Sequence, residues 1–325
     1  MNSISYNIIP YYKNAAVRDL AWALYSPGLI DEHENDFQQQ WPRLSASWQP
    51  DADTTLPWLL QLDEQSDQFH HYLKLHESHR LGIYFENLLS FFFTHHPDYE
   101  LEARNLAVQG QQRTLGEFDL IYKDYNQAAF IHHEVAIKFF LELQQPRTEQ
   151  PWSRWIGPGC KDRFDLKLLN LLNKQCQLST LPDAKNTLET LDSEVLSEKL
   201  IKRVLLKGCL FHHVSAAEPA HFPYANRNRL AGKWFHLSEW IDTLKNSTDH
   251  LMWLPLKKHG WMSSLNVADQ EQNELVAKEA LIEFCQDKLA RQSYPILLGQ
   301  YRKMDELWCE QERLFVVPDS WPEIS

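Results

Sequence analysis

The stretch GEFDLIYKDYNQAAFIHHEVAIKFF, residues 116–140, sets Asp119, Glu134 and Lys138 inside a pattern that reads as a β-hairpin. Charged residues are poor strand formers, so their presence there marks either a solvated face or a reaction centre. Side chains alternate across a strand. Along 130–140, Ile131, His133, Val135, Ile137 and Phe139 form a core face, and His132, Glu134, Ala136 and Lys138 a polar stripe. In the strand before it, Phe118, Leu120 and Tyr122 share one face, leaving Glu117, Asp119 and Ile121 on the other. A turn centred between Tyr125 and Asn126 sets Asp119 opposite His132 and Glu117 opposite Glu134, and gathers Asp119, Glu134 and Lys138 on one side. Glu86, on the preceding helix, can be directed at the same face. Two carboxylates held together repel, and the usual remedy is a hard divalent cation with oxygen ligands, Mg²⁺ or Mn²⁺, on Asp119 and Glu134. Such a metal polarises a phosphoryl oxygen and acidifies a bound water, with a lysine to orient the nucleophile, which suits phosphodiester hydrolysis. The plainer alternative is a structural salt-bridge cluster of these acids with Lys138 or Arg163.

The elements that must position these residues follow from spacing and punctuation. Asn14 can cap a helix that stops at Ser26-Pro27-Gly28, and the proline and polar residues between 42 and 57 suggest a connector. A helix over about 66–95, interrupted near Gly82 and ended by His96-Pro97-Asp98, carries an apolar stripe of Tyr84, Phe85, Leu88, Leu89 and Phe92. Three strands follow, YELEARNLAVQ, GEFDLIY and AAFIHHEVAIKFF, then the amphipathic helix CKDRFDLKLLNLLNKQCQLS after the loop WIGPG. EKLIKRVLLKGCLFHH leads from helix to strand, GKWFHLSEWIDTLK from strand to helix, and LMWLPLKKHGWM adds a strand. From about 265 the chain is helical again and closes with strands around PILLGQY and ERLFVVP. This alternation predicts an α/β layered core.

A helix Glu, a strand Asp and a strand with acid and lysine in alternation resemble the PD-(D/E)XK, restriction-endonuclease-like, nuclease superfamily. More closely, RLGIYFENLL, GEFDLIY, HEVAIKFF and WSRWIGPGCKDRFDLKLLNLL look like an uncharacterised bacterial family, DUF1853, over most of the chain. The resemblance implies a mixed central sheet flanked by helices over 66–262, with a helical region at 1–65 and a helix-and-strand extension at 263–325. It makes Glu86 the helix acid, Asp119 the metal-binding aspartate, Glu134 the second acid and Lys138 the lysine. The pattern asks for acid and lysine two residues apart, but Ala136 stands there; Glu134 and Lys138 are roughly 13 Å apart along an ideal strand. Lys161, Asp162 and Arg163, at the start of the next helix, can add a phosphate contact, and His132 lies on the polar stripe. The expected function is therefore a Mg²⁺- or Mn²⁺-dependent nuclease or phosphodiesterase. The alternatives are a catalytically inactive nuclease fold that binds protein or nucleic acid, and a hydrolase of small phosphorylated molecules.

Composition narrows the partners. The 325 residues carry a formal charge of −12, which argues against coating nucleic acid through phosphate neutralisation and leaves a local groove as the route to such a partner. No apolar run reaches the roughly 18–20 residues that cross a bilayer. The opening MNSISYNIIPYYKN lacks a basic segment followed by an apolar one, so a cytoplasmic location is expected. The five cysteines are scattered with no CxxC pair, and the expectation is free thiols. Histidine doublets stand at 70–71, 95–96, 132–133 and 212–213 without HExxH spacing. Apart from His132, they read as structural or surface residues, and the 12 tryptophans as packing anchors. The glycines at 157 and 159 lack nucleotide-cradling spacing, and no serine has a GxSxG setting.

Overall fold

The structure, a computed structural model, describes residues 12–31, 33–45, 48–145, 147–191, 200–216, 223–246, 250–264, 267–268, 274–292 and 294–322. In chain order come α1 (Ala15–Tyr25), α2 (Asn35–Gln40), β1 (Leu44–Ser45), α3 (Ala52–Glu64), α4 (Asp67–Leu75), α5 (Leu81–His95), β2 (Tyr99–Gln109), β3 (Thr114–Asp124), β4 (Ala129–Glu142) and β5 (Trp155–Ile156). They are followed by α6 (Phe164–Asn173), α7 (Pro182–Glu189), β6 (Ile201–His213), β7 (Leu230–His236), α8 (Leu237–Lys245), β8 (Met252–Pro255), β9 (Val267–Ala268), α9 (Lys278–Arg291), β10 (Ile296–Met304) and β11 (Leu307–Val317). The fold is α/β, with mixed β-sheet flanked by helices. Among the described residues no helix is long and apolar enough to cross a membrane.

The chain divides into two compact units. The first takes the residues up to Lys138, then Leu166–Gly208 and a short piece around Ala225. Its strands run in the order β2-β3-β4-β6, with β2, β3 and β4 antiparallel and β1 parallel to β6. One face carries α5, where Tyr122 stacks on Phe93 with ring centroids 3.8 Å apart. A second cluster joins Val108, Phe118 and Ile121 to Leu178, Ala184 and Leu188 from the 3-10 turn Gln175–Thr180 and α7. β4 is buried along nearly its whole length, its polar side chains His132, His133 and Glu134 included. At Gly208 of β6 (φ 141°), a Cβ would stand 1.6 Å from the carbonyl oxygen of Lys138, so only glycine lets these backbones meet.

In the second unit, the end of β6 pairs in parallel with β7, and β7 in parallel with β11. β10 is antiparallel to both β11 and β8, and β5 pairs with the end of β4. α8 and α9 bury Trp240, Ile241, Leu281 and Cys285 against Phe235, Trp253, Leu298 and Leu314. All five cysteines are free thiols.

Three sequence expectations change. The span 42–57 is not all connector: α3 starts at Ala52, where Asp51 accepts the Asp53 N–H at 3.3 Å, and Pro57 lies within the helix. Proline's φ is compatible with a helix, but at this sixth position its missing N–H forgoes the helical hydrogen bond to the Asp53 carbonyl. The hairpin register is also two residues away from the one expected. Leu120 pairs with His133 and Asp124 with Ala129, because Asp124 closes the turn by accepting from the Gln127 N–H at 3.2 Å. A shift of two preserves the faces but sets Asp119 level with Glu134 rather than His132. Finally, Phe118 packs in one cluster with Ile121, not with Leu120 and Tyr122. The cause lies on β2, where Asn105, between the partners of Phe118 and Leu120, takes the left-handed conformation (φ 49°) and breaks the alternation.

Candidate functional site

Asp119 stands at this break in β3, beyond the last regular β3–β4 pair. Its Oδ2 accepts the Val135 N–H at 2.9 Å. The Glu134 carboxyl lies near enough to act on it, and two neighbouring buried carboxyls disfavour each other's ionisation. Burial first, and then the Glu134 charge, push Asp119 up to about 7. Glu134 is fully buried in β4. Its Oε1 lies 2.7 Å from His132 Nε2, and its Oε2 accepts from the Gln175 amide at 2.8 Å. Burial outweighs these hydrogen bonds, and Glu134 also rises to about 7.

Glu86, half-buried in α5, completes the group. Burial, then Asp119 and Glu117, raise it to about 7, against the pull of Arg104 and Lys167. Nothing in the local residue pattern points to Lys167, one turn into α6, which acts electrostatically on Glu86, Asp119 and Glu134 alike. Its Nζ donates to Gln175 Oε1 at 3.3 Å, and Asn170 Nδ2 donates to the same oxygen at 3.0 Å. With its oxygen so engaged, Gln175 must present its NH₂ to Glu134, which fixes the amide orientation. Gln175 was also missed, because a polar residue just past a helix end reads as a cap.

Of the other expected residues, His132 joins this hydrogen-bonded core, and Lys138, Lys161 and Arg163 take other positions. His132 is fully buried and, through burial, lowered to about 3, so its ring is neutral and Nε2–H donates to Glu134. It is part of the hydrophobic packing as well, edge-on to Phe118 at 4.7 Å. Lys138 is half-buried, four residues beyond Glu134 along β4, with its carbonyl against Gly208. Lys161 and Arg163 belong to the second unit. Lys161 is exposed, and Arg163 forms a two-pronged pair with Asp165 at 2.8 and 2.6 Å.

Glu86, Asp119 and Glu134 offer only oxygen donors, and each is raised chiefly by burial, against the pull of Lys167. That chemistry fits a small hard cation held by Asp119 and Glu134. A family model described as a domain of unknown function (DUF1853) matches residues 18–317, which include every residue of this group. No curated protein and no solved structure matches the chain. With nearly the whole chain inside that match, the protein belongs to the DUF1853 family.

Proposed function

We propose that this protein is a metal-dependent phosphodiester hydrolase of the PD-(D/E)XK nuclease kind, with Mg²⁺ or Mn²⁺ on Asp119 and Glu134. The observation that carries the reading is the pair of buried carboxyls Asp119 and Glu134 on adjacent strands, with Glu86 on a helix close enough to act on Asp119 electrostatically, each raised to about 7 chiefly by burial. A purely structural buried acid group is ordinarily neutralised by paired cations, whereas this group has Lys167 as the cation common to all three. When bound, the divalent ion would polarise a phosphoryl oxygen and acidify a water ligand. Glu134 is held in place by Gln175 and His132, and Asp119 by the Val135 amide, so the two donors are fixed before any ligand arrives. Glu86 supplies a third carboxyl toward the same place. Lys167 takes the electrostatic role that the nuclease pattern gives to a lysine two residues after its acid, and Lys138 remains a cation for the substrate side.

A second reading, a non-catalytic descendant of the fold that binds protein or nucleic acid, draws on Ala136 in the acid position and on the net charge of −12. One assay separates the two. Single- and double-stranded DNA and RNA, and a small aryl phosphodiester, are incubated with the full chain and Mg²⁺ or Mn²⁺. Cleavage that falls about 10²–10³-fold in Asp119→Asn and in Lys167→Ala supports the hydrolase. Cleavage unchanged in Asp119→Asn, or none on any substrate with either metal, removes it in favour of the binding module.

A further inference from the structure

In the second unit, two strand ends and a helix start bring together residues far apart in sequence. β6 ends at His213, β7 ends at His236, and Glu239 lies in the first turn of α8. Glu239 Oε2 is 3.1 Å from His213 Nε2 and 3.1 Å from His236 Nδ1. One donor atom from each of the three residues lies within 4.8 Å of the others. A tetrahedral ion with bonds of about 2.0–2.1 Å separates its ligand atoms by roughly 3.3 Å, so these atoms stand near ligating separation.

The far side of the His236 ring gives an independent indication. His236 Nε2 is 3.0 Å from the carbonyl oxygen of Trp321. A carbonyl only accepts, so Nε2 carries the hydrogen and, in the neutral ring, Nδ1 turns its lone pair toward the Glu239 carboxylate. Two acceptors at that distance repel unless a proton or a metal cation joins them. The His213 ring is held from behind by Ser215, whose Oγ lies 2.6 Å from Nδ1 and whose N–H donates to it at 3.3 Å, and its Nε2 faces the same carboxylate. Trp234 packs on both imidazoles, at 4.3 and 5.1 Å, and holds their planes. A ligating nitrogen backed by a hydrogen bond from the other ring nitrogen is how proteins orient metal-bound histidine. Glu239 also accepts the His236 N–H at 3.1 Å as a helix cap. The capping box, in which the His236 ring also accepts the Glu239 N–H, accounts for the meeting of His236 and Glu239, but not for His213 Nε2 converging on the same carboxylate from another strand. The side chains are 8% (His213), 27% (His236) and 41% (Glu239) exposed, so the histidines are backed by packing while the carboxylate side admits an ion.

We propose that His213 Nε2, His236 Nδ1 and the Glu239 carboxylate form a site for a divalent first-row transition metal of the zinc class, with one position open to water or an incoming ligand. Two imidazoles and a carboxylate select such an ion over Mg²⁺. The site is independent of the carboxyl group on β3 and β4, and neither proposal rests on the other. By joining two strand ends to a helix start, a bound ion also stabilises the second unit by mass action.

The test uses the full chain, stripped with a chelator and titrated with Co²⁺ as an optical probe and then with Zn²⁺. We expect one tight equivalent of Co²⁺ with a four-coordinate visible spectrum, displaced by one equivalent of Zn²⁺, and a higher melting temperature with Zn²⁺. Glu239→Gln preserves the cap acceptor while removing the charged ligand, and His236→Ala removes a nitrogen. Each weakens Zn²⁺ binding by more than about 100-fold, while Ser215→Ala, an outer partner, weakens it by roughly 10–100-fold. Asp119→Asn leaves Zn²⁺ affinity unchanged. If His236→Ala fails to fold, Glu239→Gln decides the question. Absence of a tight equivalent overturns the proposal, as does a Zn²⁺ affinity unmoved by Glu239→Gln or lost in Asp119→Asn.

Discussion

Three acidic residues, Glu86, Asp119 and Glu134, hold more protons in the folded chain than in the unfolded one. Each is pushed from an ordinary carboxylate value to about 7. For a raised acid, the folded state binds the extra proton between the unfolded and folded values. Without metal, their contribution to stability is therefore best below about pH 4 and declines as pH rises to about 7. His132, lowered to about 3, has the opposite slope over part of that window, so the acid contribution is read as a difference between proteins. Asp119→Asn, whose amide oxygen still accepts the Val135 N–H, should raise metal-free stability at pH 8 by on the order of 2 kcal/mol. The gain should shrink toward zero at pH 4.5. Thermal melts of both proteins at the two pH values in chelator check this; equal melting temperatures at pH 8 would show that Asp119 is not destabilised by ionisation. Among these residues, the types of Asp119 and Glu134 and their nearness across the hairpin were readable, although strict alternation fails between Phe118 and Ile121. Lys167 and Gln175 were not, because a lysine on an amphipathic helix and a glutamine at a helix end carry no local sign of what lies across from them.

At the scale of elements, the hairpin β3–β4 sets the acids, and its neighbours set the hairpin. The turn residues Asp124–Ala128 decide the register, and Asn105 on β2 decides where the alternation breaks, so Asp119 sits where strand pairing has ended and its carboxyl can turn to Glu134. Gly208 on β6 fixes the approach of β6 to β4 at Lys138. A Cβ there would meet backbone 1.6 Å away, and no side-chain rotation relieves a backbone clash. Gly208→Ala should therefore cost at least about 3 kcal/mol, the strain of φ 141° adding to the overlap. Urea unfolding measured by circular dichroism checks it. A loss below about 1 kcal/mol would mean that the strands separate easily, and that Lys138 is not held where the structure has it. The sequence indicated strand and helix existence in this region, from β2 through α6, within a few residues. It did not indicate the two-residue register shift, because Tyr125-Asn126 and Asn126-Gln127 are equally plausible turn centres by residue type. The side chain of Asp124 breaks that tie only once the chain has folded back on itself.

For the whole molecule, a formal charge of −12 opposes polyanions at long range, so any nucleic acid must be met by a local site and a divalent ion. With chelator present at about 0.15 M salt, fluorescence anisotropy should show no tight binding of duplex DNA, and Mg²⁺ should strengthen binding in the cleavage-impaired Lys167→Ala chain. Tight binding in chelator would replace the metal-dependent route with a basic surface. The sequence by itself determined the α/β class and the order of the longer strands and of α1, α4–α5, α6, α8 and α9, but not α2, α3, α7 or the two-residue strands, since only the former follow from periodicity and turn chemistry within a few residues. It could also carry the family resemblance, because the matching stretches are continuous. Only the tertiary structure decided which partners meet across 15 to 48 residues of chain. It set Asp119 against Glu134, Gln175 and Lys167 beside them, and it brought His213 to His236 and Glu239 when the histidine doublet at 212–213 read as ordinary packing. Those meetings depend on strand register, on backbone breaks at single residues and on how helices cover a sheet, which are long-range outcomes that no local pattern of residue types encodes.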